Sequence, residues 1–325
     1  MKINNIEINT LKPLANNNTI QKNADEEQNK IFDIPDEDFE IKPLAEGTYA
    51  TVMVDNKADK SIIPGFVKQN LQIKTKNGKI FNISLHIEGK INNETLQKSI
   101  FTLMTALSNI PENVLEDIAI ECKHIVLSEN IVFNKQASAM AIAPLNQMFI
   151  SAEKLAEMNE DECKTTVVHE LGHLVDHSKG GNATKYYTDE FSGLKNLLTE
   201  NLGFKPDSHM FDNCREFFAD YYTYKAGLIV DTPTRKAKTQ FDLLEQYAYD
   251  VKNMNETELK AKYQDRALEI KNLVTAWEIL KTDFDYYLGE LTNNNIKESD
   301  RADTSREPMN YEQLIEHNNN LKANK

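Results

Sequence analysis

The sequence predicts an α+β fold in which a small mixed sheet carries one buried helix and a mainly helical region follows. Three observations lead to this prediction. Alternating apolar and polar residues flank Asn77-Gly78, a pair typical of a β-hairpin because both residues tolerate positive φ. The stretch "VVHELGHLVDH" at 167–177 is almost wholly apolar apart from its histidines and acids. From Tyr263 to Leu288 apolar residues recur at a three-four spacing, as on a helix with one buried face.

The residues before the buried helix predict further elements of the sheet. Apolar residues in 93–120 have helical spacing that is interrupted at Pro111. The segment "HIVLS" at 124–128 predicts a strand. The segments "SAMAIA" and "QMFIS" predict a second hairpin within 137–151, because Pro and Asn lie between them.

The elements after this hairpin are helical. Asn159 and Glu162 form a predicted capping pair at the start of the buried helix. A loop rich in Gly, Ser and Lys is predicted at 178–186, and "NCREFFADYYTYKAG" predicts a helix that ends at Gly227. The residues that follow, 231–290, are predicted to be helical throughout.

The chain is predicted to consist of one domain between two polar tails. Residues 1–45 and 291–325 are rich in Asn and charged residues without periodicity, which favours a disordered N-terminal tail and a flexible C-terminal tail. The domain then covers 46–290.

Composition and the pattern of apolar residues indicate which partners and which cellular locations to expect. With 51 acidic and 37 basic residues, the formal net charge is −14, which disfavours nucleic acid as a partner. No apolar run approaches the ~20 residues that span a bilayer. Three widely spaced cysteines indicate no disulfide framework. The N-terminus lacks the apolar segment of a Sec signal peptide. We therefore expect either a protein secreted by another route, and delivered to a host cell, or a cytoplasmic protein.

The buried helix carries a candidate metal-binding pattern. His169 and His173 are four residues apart, so both side chains lie on one helix face and can bind one ion. Glu170 lies about 100° further round the helix, where it can reach a water on the ion and act as general base. Gly172 costs about 1 kcal/mol relative to Ala, which suggests that another segment approaches closely there. The competing interpretation is a core helix that happens to contain histidines.

A catalytic zinc needs a third protein ligand and an open position. Six residues after His173, where a third histidine would complete one common pattern, the chain has Lys179. Two other candidates lie further along the same helix, too far from the ion to bind it. They are Asp176 and His177. The acids Glu190 and Glu200 remain available, but their surroundings are loop-like.

Glu216 is the better third ligand. It opens "EFFAD" within an apolar helix, where an unpaired carboxylate is costly. Asp220 follows four residues later on the same face and can accept a hydrogen bond from the outer nitrogen of a ligand histidine. The alternative is that Glu216 is an ordinary acid on the helix surface.

Together, "HELGHLVDH" and "REFFADYY" resemble the catalytic domains of anthrax lethal factor and the Pro-Pro endopeptidases, which are gluzincins. The resemblance covers 95–230, including "HIVLS" and "QMFIS". It implies a zincin-like metallopeptidase domain in which His169, His173 and Glu216 bind zinc and Glu170 is the base.

One position departs from the family. The family has a tyrosine seven residues before the third ligand that stabilises the oxyanion, and this chain has His209 there. Histidine can also donate a hydrogen bond to an oxyanion. Tyr221 and Tyr222 remain alternatives, although both lie on the helix of Glu216.

The expected function is hydrolysis of peptide bonds in a protein substrate by a zinc-dependent endopeptidase, acting as a secreted toxin or effector. One Zn²⁺ per chain would hold a water that Glu170 activates. The substrate peptide would pair with an edge strand of the 137–151 hairpin. Two alternatives remain: a zinc-containing protein-binding module without peptidase activity, and a hydrolase with a non-protein substrate. Glu170 favours the peptidase, because binding alone needs no base.

Overall fold

The computed structural model describes most of the predicted domain. The described residues are 44–55, 59–131, 137–178, 187–201, 205, 209–233 and 235–292, without the side chains of 200, 201 and 290–292. The predicted tails therefore lie almost entirely outside the described residues, as does most of the predicted loop at 178–186. At the N-terminal boundary, strand β1 (Leu44–Glu46) begins two residues before the predicted domain.

The described strands form one mixed sheet. After β1, the strands are β2 (Ala50–Val54), β3 (Asp59–Lys60), β4 (Phe66–Thr75), β5 (Ile80–Glu88), β6 (His124–Ser128), β7 (Ala139–Ile142) and β8 (Gln147–Ser151). Their order in the sheet is β1-β2-β4-β5-β6-β8-β7, with β3 paired to β4. The pairs β5–β6 and β6–β8 are parallel and the others are antiparallel, so the predicted mixed sheet is confirmed.

Both predicted hairpins are present. The turn between β4 and β5 contains Gly78 at a φ of +87°, a conformation that glycine adopts without steric cost. The turn between β7 and β8 contains Asn146 at a φ of 49°. Strand β7 pairs with β8 on one side and is the last strand in the described order, which confirms the predicted edge strand.

The helices also follow the sequence pattern. The helices are α1 (Asn93–Ser108), α2 (Glu112–Glu121), α3 (Ala152–Glu157), α4 (Glu160–Ser178), α5 (Thr188–Asn196), α6 (Cys214–Lys225), α7 (Ala237–Asn253), α8 (Glu256–Tyr263) and α9 (Ala267–Thr292). Pro111 is the N-cap of α2 and separates it from α1. Asn159 and Glu162 cap the start of α4 reciprocally, at 3.0 and 3.1 Å. Within the part of the chain that is described, none of them has the length and apolar character of a membrane span.

The close approach expected at Gly172 occurs between α4 and α6. A Cβ added at Gly172 would lie 2.8 Å from the Cα of Ala219 and 3.2 Å from its Cβ and its carbonyl oxygen. Real Cβ atoms do not approach a backbone atom this closely, so glycine lets the two helices meet. This contact fixes the distance between the helix that carries the histidines and the helix that carries Glu216.

The C-terminal helices α7 and α9 pack against α6. Aromatic rings of α6, α7 and α9 form one buried cluster. Phe217 contacts the rings of Phe241 and Trp277 at centroid distances of 5.4 and 6.3 Å, and Phe218 contacts Phe284 at 5.1 Å. The region 231–290 that was predicted to be helical contains α7, α8 and α9, but the described residues among 231–236 are not helical, so the prediction is wrong there. Of these helices, α7 and α9 contribute the packing that positions α6.

Two histidines on the neighbouring strands β5 and β6 contact each other. Nε2 of His86 lies 3.2 Å from Nδ1 of His124, and Nδ1 of His86 lies 2.8 Å from the Ser61 hydroxyl. Burial lowers the pKa of both imidazoles to about 4, and the nearby Lys68 charge adds to the effect. These side chains are therefore neutral at pH 7.

Candidate metal centre

The two motif histidines meet Glu216 across the contact between α4 and α6. Nε2 of His169 and Nε2 of His173 each lie 3.2 Å from the same carboxylate oxygen of Glu216. Their rings are nearly perpendicular, with centroids 4.8 Å apart. The i, i+4 spacing on α4 thus directs both imidazoles to one point on α6, as the sequence predicts.

Glu216 is placed by the first turn of α6. The side chain of Asn213 accepts hydrogen bonds from the backbone amides of Arg215 and Glu216 at 2.9 and 3.2 Å. Asparagine is a favoured N-cap because its side chain satisfies amides that have no partner within the helix. The cap fixes the start of α6, and Glu216 extends from this turn towards the histidines.

Asp220 supports His169 from the other side of the ring. Its Oδ1 lies 2.8 Å from Nδ1 of His169, and Asp220 is fully buried. When Nδ1–H donates to this carboxylate, the lone pair of Nε2 is directed to the centre, where it is available to a metal ion. The contact is the one that the spacing of Glu216 and Asp220 predicts.

Arg235 completes this buried arrangement and was not predicted from the sequence. Its guanidinium forms an ion pair with Asp220, and the same nitrogen lies 2.8 Å from Nδ1 of His169. Arg235 lies in the connection between α6 and α7, where no periodic pattern marks it. It compensates the charge of Asp220, which burial would otherwise make costly.

His209 lies beside the histidine pair, on the turn before α6. Its Nδ1 is 3.7 Å from Oε2 of Glu216, and its ring centroid is 5.2 Å from that of His169. Ligand atoms of His169, His209 and Glu216 all lie within 4.8 Å of one another, so this group could hold a metal ion. His173 is not one of these three residues, but its Nε2 lies 3.2 Å from Oε2 of Glu216. The side chain of His209 is 49% exposed, compared with 3% for His169 and 11% for His173.

Glu170 faces the edge strand. Its Oε2 accepts a hydrogen bond of 2.7 Å from the backbone amide of Ala141 in β7. The carboxylate and the metal-binding group line one cavity of about 270 Å³. Alanines of the edge strand form one wall, and Arg215 forms part of the wall on the side of α6.

Opposing effects determine the charge states of the buried groups. For His169, burial and the charge of Arg235 oppose protonation, but Asp220 and Glu216 outweigh them and raise its pKa to about 9. Burial opposes ionisation of Glu216 and Asp220, but histidine contacts hold the pKa of both carboxyls below the usual range, and Arg235 adds to this for Asp220. Burial lowers the pKa of His209, with contributions from the charges of Arg235 and His169. The carboxylates of the centre are therefore ionised at pH 7.

Two other candidates from the sequence lie elsewhere. The hydroxyl of Tyr221 donates to Asp285 and that of Tyr222 donates to Asp117, each at 2.5 Å. Neither tyrosine hydroxyl is placed at the metal centre, which leaves His209 as the candidate hydrogen-bond donor to an oxyanion.

The alternative carboxylates are also separate from the centre. Glu190 lies on α5, so the expectation of loop-like surroundings is wrong for this residue, and it does not belong to the metal-binding group of the described residues. Asp176 accepts a hydrogen bond from the Tyr287 hydroxyl at 2.9 Å. The side chain of Glu200 lies outside the description.

No family model, curated protein or solved structure matches this chain. The functional interpretation therefore depends on the chemistry of the site itself.

Proposed function

We propose that this protein is a zinc-dependent endopeptidase with a zincin-like domain, of the kind that its two motifs resemble. The observation that carries the proposal is the placement of His169 and His173 at 3.2 Å from one oxygen of Glu216, with Glu170 lining the same cavity. A zinc-binding module without activity would need His169, His173 and Glu216 to hold the ion, but it would not need Glu170.

The residues of the centre fit a zinc ion. Two imidazole nitrogens and one carboxylate oxygen are the donor types that zinc takes in catalytic sites. We assign the ligands as His169, His173 and Glu216. His209 is further from Glu216, at 3.7 Å, and is half exposed, so it suits the side that remains open to a substrate.

The surrounding side chains have distinct roles in the proposed reaction. A bound zinc ion would supply Lewis acidity and lower the pKa of a water molecule. Glu170 accepts the proton of the attacking water and passes it to the leaving amine. The amide of Ala141 fixes the Glu170 carboxylate, so its position is set before substrate binds. His209 donates a hydrogen bond to the oxyanion that develops on the substrate carbonyl.

The edge strand provides a surface for an extended peptide. The carbonyl of Ser138 accepts from the Ser151 amide at 2.9 Å, so this residue faces β8. Because successive residues of a strand alternate in direction, the backbone groups of Ala139 and Ala141 face away from β8. The hydrogen bond from Ala141 to Glu170 agrees with this assignment. A substrate strand can therefore pair with Ala139 while it passes Glu170.

The test uses the exchange Glu170→Gln, which keeps the size of the side chain and removes its ability to accept a proton. Zinc-loaded wild-type protein and the variant are incubated with a peptide library prepared from digested proteome, and products are identified by mass spectrometry. We expect cleavage by wild type, a loss of several orders of magnitude in Glu170→Gln, and equal zinc content.

The matched control is Glu153→Gln, an exposed glutamate on α3, which should cleave like wild type. Cleavage by Glu170→Gln at the wild-type rate would contradict the role of Glu170. A zinc-loaded wild type that cleaves no peptide of the library would favour the binding module.

A further inference from the structure

Arg215 is held at the wall of the proposed catalytic cavity. It lies in the first turn of α6, immediately before Glu216, and its backbone amide donates to Asn213 at 2.9 Å. Its side chain lines the 270 Å³ cavity together with Glu170 and the alanines of the edge strand. The backbone anchor is therefore fixed, and the residue is exposed at the wall of the cavity that a substrate would enter.

The guanidinium of Arg215 has no ion pair and no hydrogen bond with any residue that the structure describes. Arg235, which lies nearby in the same site, instead pairs with the buried Asp220. The contrast is informative in a chain with 51 acidic and 37 basic residues, in which a carboxylate partner for an arginine is easily found. No described residue therefore occupies the planar, permanently charged fork of Arg215, which suits an external anion.

The charges of the cavity wall indicate which anion would bind. Glu170 and Glu216 carry two negative charges, which a divalent ion would balance. Arg215 then remains the uncompensated charge of the wall. Guanidinium binds carboxylates through two parallel hydrogen bonds, which gives both affinity and orientation.

We propose that Arg215 binds a carboxylate of the substrate and selects peptides with Asp or Glu close to the bond that is cleaved. This inference rests on the proposed peptidase function. Because Arg215 is adjacent in sequence to the proposed ligand Glu216, the recognised side chain belongs to a residue near the scissile bond. The C-terminal carboxylate of a short peptide offers the same chemistry, and the experiment separates the two sources.

The experiment compares matched peptides derived from a cleaved library sequence. At each position around the scissile bond, Asp is compared with Asn and with Lys, and each peptide is made with a free and an amidated C-terminus. Wild type should show a kcat/KM at least about tenfold higher for Asp than for Asn at one position. Arg215→Gln should abolish this preference, and Arg215→Glu should reverse it in favour of Lys.

Arg266→Glu is the control for net charge. This exposed residue lies between α8 and α9, and its reversal changes the charge of the chain as much as Arg215→Glu does. It should retain the wild-type preference. Zinc content should be the same in all variants, since Arg215 is not a proposed ligand.

A binding measurement provides a readout that is independent of turnover. In the Glu170→Gln background, a fluorescent amidated Asp peptide should bind about tenfold more tightly than its Asn counterpart, and Arg215→Gln should remove the difference. Cleavage by wild type without any acidic preference, or with a preference that Arg215→Glu leaves unchanged, would overturn the role of Arg215 alone. A preference that disappears on C-terminal amidation would overturn side-chain recognition in favour of the terminal carboxylate. Absence of any cleavage by zinc-loaded wild type would overturn both proposals.

Discussion

Replacing Gly172 by alanine tests whether the contact between α4 and α6 sets the geometry of the metal centre. The added Cβ would lie 2.8 Å from the Cα of Ala219, too close for both backbones to keep their positions. Ala219 lies between Glu216 and Asp220 on α6. Any movement of α6 that relieves the clash therefore displaces both carboxylates from the histidines of α4.

Two opposing effects determine how much Gly172→Ala changes the unfolding free energy. Overpacking at a tightly packed contact typically costs about 1–3 kcal/mol, whereas exchanging glycine for alanine within a helix contributes about 1 kcal/mol of stabilisation. We expect Gly172→Ala to lose up to about 2 kcal/mol of unfolding free energy. Because the carboxylates move, zinc affinity should fall about 10- to 100-fold.

Gly193 offers a matched control, since it also lies within a helix, α5, and nothing occupies the space around an added Cβ within 4 Å. Gly193→Ala should therefore gain stability and leave zinc affinity unchanged. Urea unfolding in EDTA measures the first quantity, and competition with a chromophoric chelator measures the second. If Gly172→Ala behaved like Gly193→Ala in both assays, the contact would not position the site.

Three further predictions concern the support of the site and of the sheet. Asp220→Ala should weaken zinc binding about 10- to 100-fold, whereas Glu190→Ala should leave it unchanged; the opposite order in a chelator competition would contradict the assignment of the centre. Arg235→Gln should lower the unfolding free energy in EDTA by up to about 3 kcal/mol, because it removes the guanidinium that pairs with the buried Asp220 carboxylate and leaves His169 as the remaining cation beside it, and an unchanged urea midpoint would rule this out. His86 has a folded pKa of about 4, below the ordinary value of about 6.5, so the folded state resists protonation and stability should fall as pH decreases from 6.5 towards 4. In EDTA, the change in unfolding free energy between pH 7 and 4.5 should be about 2 kcal/mol smaller in His86→Gln than in wild type, and an equal change in both would refute the linkage.

Local patterns in the sequence predicted much of the fold and the centre of the site. The hairpins, the break at Pro111 and the capping of α4 depend on residues that are close in sequence. The pair of histidines follows from helix geometry, and Gly172 indicated a close approach because its cost within a helix needs a compensating contact. Glu216 could be selected because an acid on an apolar helix needs a partner.

Contacts between distant segments could not be predicted in the same way. Arg235 meets His169 across 66 residues of sequence, and its position depends on the path of the chain between α6 and α7. The hydrogen bond from Ala141 to Glu170 depends on the register of β7 against β8. The hydroxyl of Tyr222 contacts Asp117, 105 residues away, so spacing on α6 could not indicate its direction. Such contacts arise from tertiary packing, which periodicity does not encode.

The most direct test of the central claim is the zinc content of purified, dialysed protein in wild type and in two variants of α4. His173→Ala removes a proposed ligand, and His177→Ala removes a histidine one turn later on the same helix. We expect about one zinc per chain in wild type, the same in His177→Ala, and severe loss in His173→Ala. Stoichiometric zinc in His173→Ala, or none in wild type supplied with zinc, would contradict the metal centre and the function proposed from it.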